Sequence, residues 1–130
     1  MTELRGELKT PVKGTDGQMP ALGFGTWDLK GDACVDAVKF ALDLGYRHID
    51  TAAMYENEEE VGRGIAESDV DRGDVFLTTK VWYDDLDADS LRKSAEASIE
   101  KLSTDYVDLL LMHWPHRTVP MEESLGEMAD

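Results

Sequence analysis

Four side chains define the chemistry this sequence could perform: Asp50, Tyr55, Lys80 and His113. Asp50 closes the run Tyr46-Arg47-His48-Ile49-Asp50 and Tyr55 follows shortly after it, while Lys80 and His113 end two later segments of strand character. Lysine is seldom fully buried unless paired, and Asp50, at the end of the neighbouring strand, is an available partner. If Tyr55 also points at that ammonium, the positive charge favours the phenolate and lowers a pKa that starts at about 10. A phenol tuned in this way can hand a proton to an oxygen that is gaining negative charge. His113, as a neutral donor, can hold the same oxygen and stabilise the charge developing on it. The set suits reduction of a carbonyl, in which hydride reaches carbon and a proton reaches oxygen. Each residue also has a plainer reading: packing for Tyr55, a strand-end histidine satisfied by backbone for His113, and a structural ion pair for Asp50 and Lys80.

Placing these groups together requires parallel strands. Residues 8–25 carry a hairpin signal and a first strand: Val12 to Thr15, the turn pair Asp16-Gly17, then Met19 to Phe24 with Pro20 near its start. From Gly25 onward the pattern repeats. A helix is predicted from about Asp32 to Leu44, with Cys34, Val38, Ala41 and Leu42 on one face and Gly45 as a left-handed cap. Strands are predicted at Tyr46 to Thr51 and Val75 to Thr79, with a helix near Glu58 to Glu67 between them. A further helix at 89–102 carries the stripe Leu91, Ala95, Ile99 and Leu102. Tyr106 to Met112 reads as a parallel strand covered on both faces, and Met121 to Asp130 begins another helix. Strand and helix alternate in units of roughly 25 to 30 residues, the spacing of βαβ repeats.

Such a string fits a doubly wound sheet or part of a (β/α)₈ barrel. Asp50, Lys80 and His113 each stand at the carboxyl end of a different strand, where barrel enzymes keep their chemistry. Gly23-Phe24-Gly25-Thr26-Trp27 lacks the third glycine and the immediate helix of a phosphate-binding turn. The expected fold is therefore α/β, the N-terminal half of a (β/α)₈ barrel of about four βα units preceded by a hairpin.

Thirteen Lys and Arg against 28 Asp and Glu leave a formal charge of −15, which argues against nucleic acid or an anionic membrane as partner. The acids are scattered among apolar positions, as on a folded, solvated surface. Halophilic adaptation is the favoured explanation of that excess, with an ordinary acidic protein as the alternative. Cys34 is the single cysteine, no secretory pattern is seen, and no apolar run reaches membrane-spanning length, so a soluble cytoplasmic protein is expected. His, Cys and carboxylate residues show no metal-ligand spacing, and no metal is predicted.

The run Gly45-Tyr46-Arg47-His48-Ile49-Asp50-Thr51-Ala52, then Glu58, Val61 and Gly62, resembles the N-terminal signature of the aldo-keto reductases. Thr79-Lys80-Val81-Trp82 and Asp105-Tyr106-Val107-Asp108-Leu109-Leu110-Leu111-Met112-His113-Trp114-Pro115 resemble that family's third and fourth strand motifs. The wording is similar to the prokaryotic branch that includes 2,5-diketogluconate reductases. The resemblance implies that Asp50, Tyr55, Lys80 and His113 form a catalytic tetrad, with Tyr55 as proton donor. It implies NADPH, or else NADH, as cofactor and a small carbonyl compound as substrate. It places Gly25, Thr26 and Asp50 against the nicotinamide side, and Trp27, Met54, Trp82 and Trp114 around the substrate pocket. Asp108 and His48 are given structural roles, and Cys34 that of a small buried hydrophobe.

A barrel of this kind needs about 250 residues. In the family the later part carries the carboxamide contacts and a basic loop for the adenosine phosphate, and those motifs do not occur among these 130 residues. The chain is accordingly expected to be an N-terminal portion, inactive alone, with self-association through open strand edges as the alternative. A non-catalytic half-barrel or cofactor-sensing module is the competing function.

Overall fold

The computed structural model describes residues 8–130. Residues 1–7, part of the stretch read as free of a secretory pattern, lie outside the described residues.

Two short strands, β1 (Lys9–Pro11) and β2 (Gln18–Pro20), pair antiparallel. Their connection runs from Val12 to Gly17, wider than the two-residue Asp16-Gly17 turn expected from sequence. Gly14 takes the left-handed region at φ 84°, and the Thr15 hydroxyl bonds Val12 O while accepting from Gly17 N. These local bonds close a longer loop than the dipeptide signal suggested. The predicted Met19 to Phe24 strand is also divided. The chain leaves the hairpin after Pro20 and begins β3 (Phe24–Gly25) in a different sheet. At the crossing, a Cβ on Gly23 would meet the His48 ring at 3.0 Å, so any larger residue requires that ring to shift by a few tenths of an ångström.

The main sheet has four strands in the order β3, β4 (His48–Asp50), β5 (Phe76–Val81) and β6 (Leu109–Met112), all parallel. Helices α1 (Gly31–Leu44), α2 (Glu58–Glu67) and α3 (Ala88–Lys101) connect successive strands, and α4 (Met121–Ala129) follows β6. The boundaries of α1 and α2 agree closely with their periodicity, and Gly45 ends α1 at φ 109°. Asp87 caps α3 by accepting from Ser90 N.

Alternation divides the sheet residues between two faces. Ile49 and Leu77 point outward and pack with Cys34, Val38, Leu42, Val61 and Ile65 from α1 and α2. Burial of each such large apolar side chain stabilises by about 1.5–3 kcal/mol. A second cluster, Val81, Leu86 and Leu91, packs with Leu110, Met112 and Met128 under α3 and α4. His48, Asp50, Phe76, Thr78 and Lys80 share the opposite, inner face by register.

The strand expected at Tyr106 to Met112 forms only from Leu109, and it is half exposed rather than covered on both faces. Asp108 is the reason for the late start. Its carboxylate accepts from Leu77 N at 2.8 Å and faces Arg72 at 3.5 Å, replacing a ladder carbonyl with a side chain. At the edge of the sheet, Leu111 is left 38 % exposed. No helix among the described residues is long and apolar enough to cross a membrane.

Candidate active site

The carboxyl ends of β3, β4, β5 and β6 lie side by side, because the parallel register aligns Gly25 with Asp50, Asp50 with Thr78 and Lys80 with Leu111. Lys80, on the inner face of β5, reaches across to β4. Its Nζ donates to Asp50 Oδ1 at 2.6 Å and to Thr51 O at 2.8 Å, and lies 3.4 Å from the Tyr55 hydroxyl. The ammonium also stands 5.0 Å from the Tyr55 ring centroid. Three oxygens thus surround one cation, matching the three donors of an ammonium.

Tyr55 is held by the chain that follows β4. A short 3₁₀ turn, Ala53–Tyr55, closes with Tyr55 N donating to Ala52 O at 3.1 Å, and Lys30 donates to Tyr55 O. His113, one residue past β6, bonds its backbone N–H to Val81 O at 2.9 Å. Its ring meets Tyr55 edge to face at 5.8 Å and Trp82 at 5.1 Å. Burial, reinforced by the Lys80 charge and opposed by Asp50, holds the His113 imidazole below the ordinary histidine range. His113 Nδ1 is buried with no hydrogen-bond partner. In the neutral ring, the Nε2–H tautomer offers Nε2 as the donor. The structure therefore brings together Asp50, Tyr55, Lys80 and His113 from three strand ends.

The other residues singled out from sequence divide. Gly25 is exposed, and the space where a Cβ would stand is open. Thr26 is fully buried, and its hydroxyl donates to Asp50 O at 3.2 Å. The side chain thereby braces the end of β4. Trp82 and Trp114 border one groove with Tyr83 and Pro115. Trp27 is 69 % exposed and is not among the residues that border this groove. Met54 lines a separate groove with Trp82, between the 3₁₀ turn and α3. His48 donates to or accepts from Thr78 Oγ1 at 2.8 Å, and burial lowers its pKa.

Two residues that support this site were not singled out for it. Asn57 precedes α2 where an N-cap belongs, yet its amide reaches away to Thr26 O at 2.8 Å and Leu29 O at 3.0 Å. Its Oδ1 accepts from the Thr51 hydroxyl at 3.1 Å, tying the ends of β3 and β4 together. Glu58 is 2 % exposed and accepts from Thr79 and Ser98 hydroxyls. The legible signal was an Asn immediately before three glutamates, which reads as a cap and a solvated first turn. No group of three or more His, Cys, Asp or Glu among the described residues could hold a metal ion.

The sequence model of the Aldo/keto reductase family matches residues 21–130. Methylglyoxal reductase DkgB of Salmonella typhi is 53 % identical over 97 residues, which make up 75 % of this chain and 36 % of that protein. The Yersinia pestis DkgB is 52 % identical over 112 residues, 85 % of this chain and 42 % of its own. Among solved structures, a thermostable aldo-keto reductase in complex with epalrestat superposes at a TM-score of 0.86 with 40 % identity, covering 94 % of this chain and 48 % of that one. The Bombyx mori aldo-keto reductase in complex with NADP gives 0.82 and 34 %, covering 88 % and 43 %. The chain thus spans less than half the length of these relatives.

Proposed function

Because the chain belongs to the aldo/keto reductase family, we propose that its strand-end cluster is the proton-delivering side of an NADPH-dependent carbonyl reductase. The observation that carries this reading is Lys80 Nζ, 2.6 Å from Asp50 Oδ1 and 3.4 Å from the Tyr55 hydroxyl. The named relatives reduce methylglyoxal, and small aldehydes and ketones of that kind are the proposed substrates.

Tyr55 donates its hydroxyl proton to the carbonyl oxygen. The Lys80 ammonium then faces the phenolate left behind, and Asp50 keeps that ammonium from turning toward solvent. His113 donates from Nε2 to the same oxygen and stabilises the charge that builds on it. The residues present fit the nicotinamide end of the cofactor: the backbone of Gly25 is exposed, has open space beside it, and is in register with Asp50. When bound, NADPH supplies the hydride. On this reading the 130 residues deliver the proton, and alone they turn over no NADPH.

A chimera tests the assignment. The matching 97-residue segment replaces its counterpart in the Salmonella typhi DkgB, and NADPH oxidation is followed with methylglyoxal. The chimera is expected to be active, and Tyr55→Phe within it to lose about 100-fold or more. A folded chimera whose turnover is indifferent to Tyr55→Phe supports a non-catalytic module instead.

A further inference from the structure

Beside the proton-delivering cluster lies a groove of about 610 Å³ bordered by Trp82, Tyr83, Trp114, Pro115 and Arg117. Trp82 links it to that cluster, its ring centroid 5.1 Å from that of His113 on one side and 4.7 Å from that of Tyr83 on the other. Its walls are flat and apolar, and Trp114 is 61 % exposed. Aromatic walls of this kind suit a planar apolar body, with a few placed polar groups to fix its orientation.

Arg117 is the polar group that stands out. Arg63, Arg72 and Arg92 each face a carboxylate, and Arg47 is committed to the carbonyls of Leu42 and Tyr46. Among the described arginines, Arg117 alone has no carboxylate or carbonyl partner, in a chain of 28 acidic and 13 basic residues. It is nevertheless not on a loose segment. His116 Nδ1 accepts from the backbone N–H groups of Thr118 and Val119, both at 3.0 Å, and so closes the turn that carries Arg117. The backbone that carries Arg117 is thereby fixed at the rim of an aromatic groove, and a guanidinium's fork of donors matches a carboxylate. Against a formal charge of −15, an anion is held only where a local cation outweighs the overall field.

We infer that Arg117 and the Trp82–Trp114 groove select carbonyl substrates that join a flat apolar body to a carboxylate, that is, aromatic oxo acids. This rests on the carbonyl-reducing reading of Tyr55, Lys80 and His113. The test is binding, so that its failure is separate from that of the catalytic reading, which the Tyr55→Phe chimera reports whichever acid binds. Benzoylformate and its neutral methyl ester are titrated into the 130-residue chain at one fixed ionic strength, and the indole N–H signals of Trp82 and Trp114 are followed by NMR. The acid is expected to shift both signals and to bind about tenfold tighter than the ester, the factor one charge-assisted contact supplies at an exposed site. Arg117→Gln, an exposed substitution, is expected to bring the two within about twofold. Equal binding of acid and ester, an acid preference that survives Arg117→Gln, or signals that stay unmoved would each overturn the inference.

Discussion

Glu58 accepts a hydrogen bond from the hydroxyl of Thr79 at 2.7 Å, inside the protein and one residue from Lys80. The same carboxylate accepts from Ser98 at 3.1 Å, so one side chain at the start of α2 ties β5 to α3. Its removal as Glu58→Ala leaves two buried hydroxyls without an acceptor and is expected to cost about 2–4 kcal/mol. Glu58→Gln keeps one carbonyl oxygen, and a hydroxyl can turn to accept from the new amide, so a loss of about 1 kcal/mol or less is expected. Urea denaturation of the two variants checks this. Equal losses would show that the carboxylate is not the link.

Two glycines behind the sheet make opposite predictions. A Cβ on Gly62 would meet Leu102 O at 2.4 Å and Leu102 C at 2.7 Å, backbone that cannot move aside cheaply. Gly62→Ala is expected to destabilise by about 2 kcal/mol or more. Gly126, exposed in α4, has nothing within 4 Å of the same added atom. Gly126→Ala is expected to gain about 0.5–1 kcal/mol through helix propensity. Thermal melts of both variants decide it, and a common sign would refute the packing argument.

Stability should fall on mild acidification through His48 and His113. Burial is the first cause that lowers each imidazole, aided at both by the Lys80 charge. A folded-state pKa below the unfolded one means that the unfolded chain binds more protons. The contribution is then whole above the unfolded value of about 6.5, and is lost as pH falls from there toward the lower folded values. The carboxylates titrate in the same range, so the comparison is between variants. The drop in urea midpoint from about pH 7.5 to about pH 5.5 should be smaller in His48→Gln and His113→Gln than in the parent chain. Identical drops would remove the histidines from the account.

Salt should stabilise the fold. With a formal charge of −15, self-repulsion is screened as the Debye length shrinks from about 10 Å at 0.1 M to about 3 Å at 1 M. The melting temperature is expected to rise across that range of KCl. A melting temperature indifferent to salt would count against halophilic adaptation.

Much of the frame was legible because periodicity is local. The α1 face of Cys34, Val38, Ala41 and Leu42, the Gly45 stop and the bounds of α2 each follow from residues within one element. The hairpin loop and the β6 boundary were not legible for the same reason. They depend on Thr15 bonding its own loop and on Asp108 reaching Leu77, side-chain bonds that compete with the backbone pattern.

At the site, the sequence by itself determined which chemical groups are available and that Asp50, Lys80 and His113 close successive parallel strands. Residue type and strand order suffice for that, since parallel register aligns carboxyl ends. Only the tertiary structure decided the duties of neighbouring polar residues. Thr26 and Asn57 turn inward to hold the strand ends, Glu58 is buried, Trp27 does not border the groove of Trp82 and Trp114, and Arg117 has no carboxylate or carbonyl partner among the described residues. Whether a polar side chain is braced or free depends on which distant donors and acceptors the fold brings within hydrogen-bonding reach, and sequence spacing carries no record of those distances.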